Sequence, residues 1–432
     1  MLTSWDNRDQ SVWLETAPPC PDAPPLKGEI NVDVAVVGAG YTGASTALHL
    51  AEQGKNVALL DAREPGWGAS GRSAGWLSPH WFFDCPPEAV VKRLGEKGRR
   101  LNGLVIETAR DLIPALVQRY NFNCDYQATG HVHSSLGLRK QKELETEAQQ
   151  WAEYGARTSV MDAAQISECV PSGRYKCAIR FGDAGLVNPL AYVRELARAA
   201  QDQGAKLHGQ SPVEKVEQAG DRWRLTTPTG SVLADQVLLS TNAYEQGLWP
   251  KLSKSFARWT VAFVSTDPLP DKGAHLLPRD GGFIDLDYTN MLSLRVDRDG
   301  RLGTSTSALM RPNADPAKVA AAFTRKFKRI FPGEPLPPWR YVHTGHTAMN
   351  PAIVPRLYSL APGLYAANAY NANGIILATL MGREVAGLMT TGDAEACAYP
   401  VNDLKPMRGA GAMAALGRYV LHPAGRLRSW VG

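Results

Sequence analysis

VAVVGAGYTGASTALHL, residues Val34 to Leu50, places three glycines between a β-branched run and an apolar-periodic one. Val32 to Val37 reads as a parallel strand covered on both faces, and Thr42 to Gln53 carries apolar residues at helical intervals. Between them stands Gly38-Ala39-Gly40-Tyr41-Thr42-Gly43. In such a unit the first glycine permits a tight turn, the second lets backbone approach a pyrophosphate, and the third lets the helix lie close on the strand. The helix N-terminal amides then face the phosphates. A second strand, Asn56 to Leu60, ends at Asp61, at the distance where a carboxylate accepts hydrogen bonds from an adenosine ribose. The pattern predicts a Rossmann-like α/β unit that binds a dinucleotide.

The small-residue loop Gly66-Trp67-Gly68-Ala69-Ser70-Gly71-Arg72-Ser73-Ala74-Gly75-Trp76 follows, rich in positions where backbone can lie against a flat ring. With it, the chain resembles the FAD-dependent D-amino-acid-oxidase-like amine oxidoreductases, the group that contains glycine oxidase, sarcosine oxidase and γ-glutamylputrescine oxidase. The branch with Gly-Ala-Ser-Gly-Arg followed by Asn-Gly-Gly is most similar; this chain keeps Gly68 to Arg72 and has Ser73-Ala74-Gly75 instead. Phe181 to Pro189 leads into a helix with Asn188 as N-cap and Pro189 at its first position. That segment, Val213, the strand ending at Thr241-Asn242 and the stretch Gly363 to Gly382 extend the resemblance over about residues 31 to 392.

The resemblance implies non-covalent FAD held by Gly38, Ala39, Gly40, Tyr41, Thr42, Gly43, Asp61, Ala62 and Arg63. It extends that set to Gly68, Ala69, Ser70, Arg72, Ser73, Ala74, Gly75, Trp76, Val213, Thr241 and Asn242. Asn371, Asn373, Gly374 and Ile375 belong to a helix start expected at the flavin pyrimidine end, where the dipole favours negative charge. Here Asn-Ala-Asn-Gly replaces the family's usual Gly-x-Gly-His-Gly.

The implied architecture is α/β, α+β overall: a Rossmann-like FAD-binding domain from 30–84, 155–250 and 340–392, interleaved with a substrate domain from 85–154 and 251–339. The first insertion is helical in pattern over Glu88 to Tyr120 and Arg139 to Tyr154. The second carries antiparallel strand signals at Trp259 to Ser265, Gly282 to Leu286, Met291 to Val296 and Leu302 to Thr306. Residues 1 to 29 read as an extended, proline-rich lead-in.

A chain of 432 residues can bury two cores, and 44% apolar with 21% charged residues is ordinary for a globular protein. No run of about 18 apolar residues occurs, and Met1 to Trp13 lacks the pattern of a secretion signal, so the expected location is the cytoplasm. The six cysteines show no Cys-x-x-Cys pair, and neither a disulfide framework nor a metal site is expected. After Asp403 there is no acidic residue, while Lys405, Arg408, Arg418, Arg426 and Arg428 match the whole chain's net charge of +5. Ala410 to Val420 reads as a helix docking on the body or on a second subunit in a homodimer, with contact to an anionic membrane surface as the alternative. The balanced body argues against nucleic-acid binding.

The expected reaction is oxidation of the C–N bond of a small amine or amino acid to an imine by hydride transfer to flavin. Molecular oxygen then reoxidises the cofactor and yields hydrogen peroxide. A quinone-linked dehydrogenase and a flavin-fold protein that binds or acts on a carrier-bound amine are the alternatives. Arg295, in the covering sheet, is the candidate for holding a substrate carboxylate. His343 and His346 are the candidate catalytic histidines, expected on different faces of a strand. Trp76, His80, Trp81, Tyr288 and Tyr370 are candidate aromatic lining, and His131-Val132-His133 reads as strand alternation rather than a ligand pair.

Overall fold

The computed structural model describes residues 11–81, 85–137, 140–277, 282–286, 292–306, 315–336, 338–407 and 409. Its centre is the strand Gly28–Val37, which pairs in parallel with Val57–Leu60 on one side and Gly230–Leu239 on the other. Leu364–Asn368 continues the parallel run beyond Gly230–Leu239, and Lys206–His208 continues it beyond Val57–Leu60. A parallel strand with both faces covered needs apolar residues at every position, and Val57–Leu60 is buried throughout. One face carries the helices Tyr41–Glu52, Pro189–Asp202 and Gly374–Thr391. Antiparallel strands Lys215–Ala219 and Arg222–Thr226 extend the sheet from Gly230–Leu239. Helices Tyr41–Glu52 and Gly374–Thr391 approach closely, because a Cβ on Gly382 would lie 2.4 Å from Ser45 Cβ.

A second, eight-stranded sheet runs in the order Tyr341–Met349, Ala257–Pro268, Arg301–Thr306, Ser293–Val296, Gly282–Asp285, His131–Ser135, Cys177–Phe181, Thr158–Asp162. Every pairing in it is antiparallel except that of Gly282–Asp285 with His131–Ser135. One face buries Val132, Phe283, Leu294, Leu302 and Val264 against Val319, Phe323 and Phe327 of the helix Pro316–Ile330. The other face looks toward the C-terminal ends of the parallel strands.

Four features differ from the sequence reading. Thr158–Asp162 and Cys177–Phe181, expected in the nucleotide-binding part, lie in the second sheet, because Cys177–Phe181 pairs with His131–Ser135 along its whole length. Tyr341–Met349 likewise pairs with Ala257–Pro268. The lead-in is not wholly extended: Val12–Thr16 forms a helical turn capped by Ser11, with Val12 and Trp13 buried. The helical pattern of 88–120 is divided into Pro87–Leu94, Glu96–Glu107 and Ile113–Arg119, broken at Gly95, whose φ is +59°, and by a π turn at Thr108–Leu112. The expected tail helix Ala410 to Val420 and Tyr288 lie outside the described residues. Among those described, no helix is long and apolar enough to cross a membrane, and no group of His, Cys, Asp or Glu has the form of a metal site.

A Cβ added at Gly43 would sit 2.0 Å from the Gly38 carbonyl oxygen. Gly43→Ala therefore forces the helix off the turn and lowers stability by about 1–3 kcal/mol in denaturant unfolding. An unchanged midpoint and slope would mean that the turn has room the structure does not show.

Candidate functional site

The three glycines do separate work. Gly38 takes φ +102°, which turns the chain sharply at the strand end. A Cβ on Gly40 would come within 2.9 Å of Ser70 Oγ, filling the space above the turn. The turn is fixed by the Gly38 amide donating to Leu60 O at 2.7 Å and the Ala39 amide donating to Asp61 Oδ2 at 2.8 Å. Asp61 Oδ1 accepts from the Arg63 amide, also at 2.8 Å. The carboxylate at the end of the second strand thus shapes the glycine turn as well as facing the cleft.

Side chains from three elements hold the loop Gly66–Trp76 over the helix start. The Tyr41 amide donates to Ser70 Oγ at 3.0 Å, and the buried Tyr41 hydroxyl donates to Ser70 O at 2.5 Å. Trp13 Nε1 donates to Ser73 O at 3.0 Å. Arg295 Nη1 donates to Ala74 O and Val187 O, each at 2.8 Å. Arg72 reaches the other way, Nε to Trp67 O and Nη1 to Thr344 O, with its guanidinium 4.7 Å from the Trp67 ring centre.

The opposite wall is the N-terminus of the helix Gly374–Thr391. Asn373 Nδ2 donates to Ser78 O at 3.1 Å and His80 O at 2.5 Å, joining that wall to the end of the loop. Thr42 Oγ1 and the Tyr370 hydroxyl are 2.5 Å apart across the same junction. Two helix N-termini therefore open on one cleft, which the buried Arg72 also lines, a positive environment.

The cleft holds about 1180 Å³. It runs from Val213 and Pro228, past the glycine turn, to the face of the second sheet. Gly38, Gly40, Tyr41, Thr42, Asp61, Ala62, Arg63, Gly68, Ala69, Ser70, Arg72 to Trp76, Val213, Thr241, Asn242, Asn373, Gly374, Ile375 and His346 all line it. Ala39 and Gly43 do not; they lie behind the turn. Nor does Asn371, whose Oδ1 accepts from the Asn350 amide and whose Nδ2 donates to Ile353 O, so it braces a neighbouring loop.

Two expected catalytic groups, Arg295 and His343, do not line the cleft. Arg295 is fully buried beneath the loop, its guanidinium 5.2 Å from the Trp13 ring centre, and a Cβ on Gly75 would strike it at 2.1 Å. Burial lowers its pKa, and the carboxylates of Asp297 and Asp125 work against that shift. His343 is also fully buried, with Nε2–H donating to Arg72 O at 3.1 Å; burial pushes its pKa down to about 4, so the ring is neutral. His346 alone of the three lines the cleft, with Nδ1 3.2 Å from Thr260 Oγ1 and its ring 5.6 Å from that of Tyr244. As expected, His343 and His346 lie three residues apart on one strand and face opposite sides. The sequence reading missed Tyr244, Val261, Phe263, His133, Ile284, Ser293 and Ser305, all cleft-lining. Only strand register, set by distant parts of the chain, brings the last five together.

A cleft of this size exceeds the roughly 300–1,000 Å³ of ordinary small-molecule sites. With a glycine cradle that a methyl would fill and a carboxylate beside it, it fits an extended dinucleotide. A family described as FAD dependent oxidoreductase matches residues 33–388. The chain belongs to this FAD-dependent oxidoreductase family. Its cofactor is FAD. Gamma-glutamylputrescine oxidoreductase of Escherichia coli (strain K12) is 29% identical over 373 residues, 86% of each chain. Among solved structures, glycine oxidase from Geobacillus kaustophilus superposes with a TM-score of 0.69 at 22% identity, over 83% of this chain and 95% of that one. L-proline dehydrogenase from P. horikoshii gives 0.71 at 19%, over 85% and 95%. At those identities the likeness to the two structures is one of fold. The mixed α/β architecture with its second sheet is the architecture of these FAD-dependent oxidoreductases.

His343 offers a check on the buried loop contacts. Its folded pKa lies below the unfolded value of 6.5, so its contribution to stability is complete above pH 6.5 and is lost as pH falls toward 4. Over that range wild-type unfolding free energy falls more steeply than that of His343→Gln, the difference reaching on the order of 3 kcal/mol. Parallel curves would contradict a neutral, buried His343.

Proposed function

We propose that this protein oxidises the C–N bond of a small amine or amino acid to an imine. The observation that carries the reading is the single cleft that joins a dinucleotide-shaped end to a mixed polar and apolar sheet face. The sequence relative named for gamma-glutamylputrescine supports the substrate class.

In this reading Gly38 and Gly40 receive the pyrophosphate, Asp61 the ribose, Val213 and Pro228 the adenine, and the backbone of Arg72 to Trp76 the ring system. The start of Gly374–Thr391 faces the pyrimidine edge. FAD supplies a two-electron acceptor for the hydride that leaves the carbon beside the amine nitrogen. The protein's own task is to hold the amine uncharged and correctly placed. Burial between the two sheets disfavours an ammonium, and the neutral histidines of the second sheet add no opposing charge. Water then hydrolyses the released imine. Molecular oxygen is the second substrate and hydrogen peroxide the second product.

An anaerobic titration of the purified yellow protein with γ-glutamylputrescine, sarcosine, glycine, D-proline and L-pipecolate should bleach the band near about 450 nm for at least one of them. Admission of oxygen should restore the band with formation of peroxide. A yellow protein that no amine or amino acid bleaches would overturn the substrate class; slow recovery in air would overturn the oxidase assignment. Asp61→Ala, which removes both the ribose acceptor and the Ala39 tie, should weaken FAD retention by about tenfold or more in a dialysis measurement.

A further inference from the structure

Arg295 is 1% exposed, and two of its guanidinium nitrogens, Nε and Nη2, have no hydrogen-bond partner. Nη1 alone is engaged, by Ala74 O and Val187 O. Among the described residues it makes no ion pair: Asp125 and Asp297, the carboxylates whose fields reach it, have nearer partners in Arg298 at 2.9 Å and Arg301 at 3.5 Å. His131, also within its field, is kept uncharged by burial. A guanidinium stays protonated at neutral pH even where burial lowers its pKa. The fold therefore encloses a positive charge with no anion against it. Burial of such a charge is costly, and a buried group with unused donors calls for a task beyond packing.

Its position supplies the task. The loop Ser73–Trp76 lines the cleft, and the same loop rests on Arg295 through Ala74 O. A Cβ on Gly75 would lie 2.1 Å from Nη1, so glycine at this point, with φ +77°, lets the guanidinium come up against the backbone itself. The Val187 amide donates to Gly75 O at 2.9 Å and holds the backbone there. One layer of backbone thus stands between the charge and the cleft. A buried charge is screened far less by salt and water than an exposed one.

We propose that Arg295 is a fixed counter-charge for the reduced flavin: across the loop Ser73–Trp76 its guanidinium favours the negative charge that the ring gains with a hydride, and so raises the reduction potential. The inference rests on the reading above that sets the ring system on this loop. A hydride brings two electrons and one proton, and leaves the ring one negative charge richer. Arg295 gives up no proton and touches neither substrate nor cofactor. It acts through its field, from a side of the ring other than the helix start at Gly374.

The test is equilibrium reduction of the FAD-loaded protein by dithionite beside a dye of known potential, a measurement that needs no amine. Wild type should bind reduced FAD about tenfold or more tightly than oxidised FAD, which sets its potential about 30 mV or more above that of free FAD in the same buffer. In Arg295→Met that ratio should fall about tenfold, a drop of about 30 mV, while oxidised FAD is retained. Arg295→Gln, which keeps an N–H donor but not the charge, should show the same drop. A role confined to holding the loop predicts instead that both forms of FAD weaken alike. That result, an unchanged potential in either FAD-loaded variant, or a wild-type potential at or below that of free FAD, overturns the inference; the last needs no variant to fold. A protein whose potential ignores Arg295 but whose flavin an amine bleaches loses this inference and keeps the amine-oxidising reading. One whose potential follows Arg295 but which no amine bleaches keeps the inference and loses that reading.

Discussion

The contact between Gly43 and the Gly38 carbonyl constrains the rest of this structure. Because no side chain separates them, the helix Tyr41–Glu52 begins directly on the turn, and its first residues face the cleft. Tyr41 is then close enough to pin Ser70, and Ser70 fixes the loop that carries Arg72 to Trp76. The same loop is the hinge between the two sheets. Arg72 reaches Thr344 in one strand of the second sheet, and Arg295 reaches up from another to Ala74. A change of helix height by the width of a methyl would be felt at each of these contacts, since packed interiors do not absorb such shifts without loss.

Arg295 shows how a charged side chain serves as a structural part. A guanidinium removed from water is strongly disfavoured unless its donors are used. Here only Nη1 is used, serving two backbone carbonyls while Nε and Nη2 have no hydrogen-bond partner; the Trp13 ring covers the charge, and Asp125 and Asp297 lie near enough to oppose the loss of solvation. The N-terminal turn Val12–Thr16 belongs to this arrangement. It supplies the Trp13 ring to Arg295, Trp13 Nε1 to Ser73 O, and Glu15 to the Tyr341 hydroxyl at 2.6 Å.

Local features of the site were legible in the sequence for a physical reason. A turn that needs positive φ and close backbone approach requires glycine at set spacing, so Gly38, Gly40 and Gly43 announce themselves; Asn188 and Pro189 likewise mark the start of Pro189–Asp202. The strand that carries Arg295 was legible as well. What sequence could not show is that the loop Ser73–Gly75 lies on that arginine and that the Arg72 carbonyl covers His343. Both residues face the right way and stop short of the cleft. The cleft-lining set of His133, Ile284, Ser293, Ser305 and Phe263 was illegible for the converse reason: its members lie far apart in the chain, and each looks like an ordinary strand residue.

The electrostatics of the cleft follow from this division. Two helix N-termini supply positive potential at the end where the glycine turn lies, through backbone dipoles that carry no proton and therefore do not titrate. The sheet face opposite supplies histidines kept neutral by burial: His131 is held at about 3, His133 is pushed well below its usual value, and His343 lies at about 4. His131 Nε2–H is spent on Gly185 O at 2.7 Å, as His343 Nε2–H is on Arg72 O, which fixes both rings. An anionic cofactor is thus favoured on one side without placing a mobile cation on the other, where a positive charge would repel an amine. The cleft thus sets helix dipoles and Arg72 at the glycine-turn end against a sheet face whose buried histidines carry no charge.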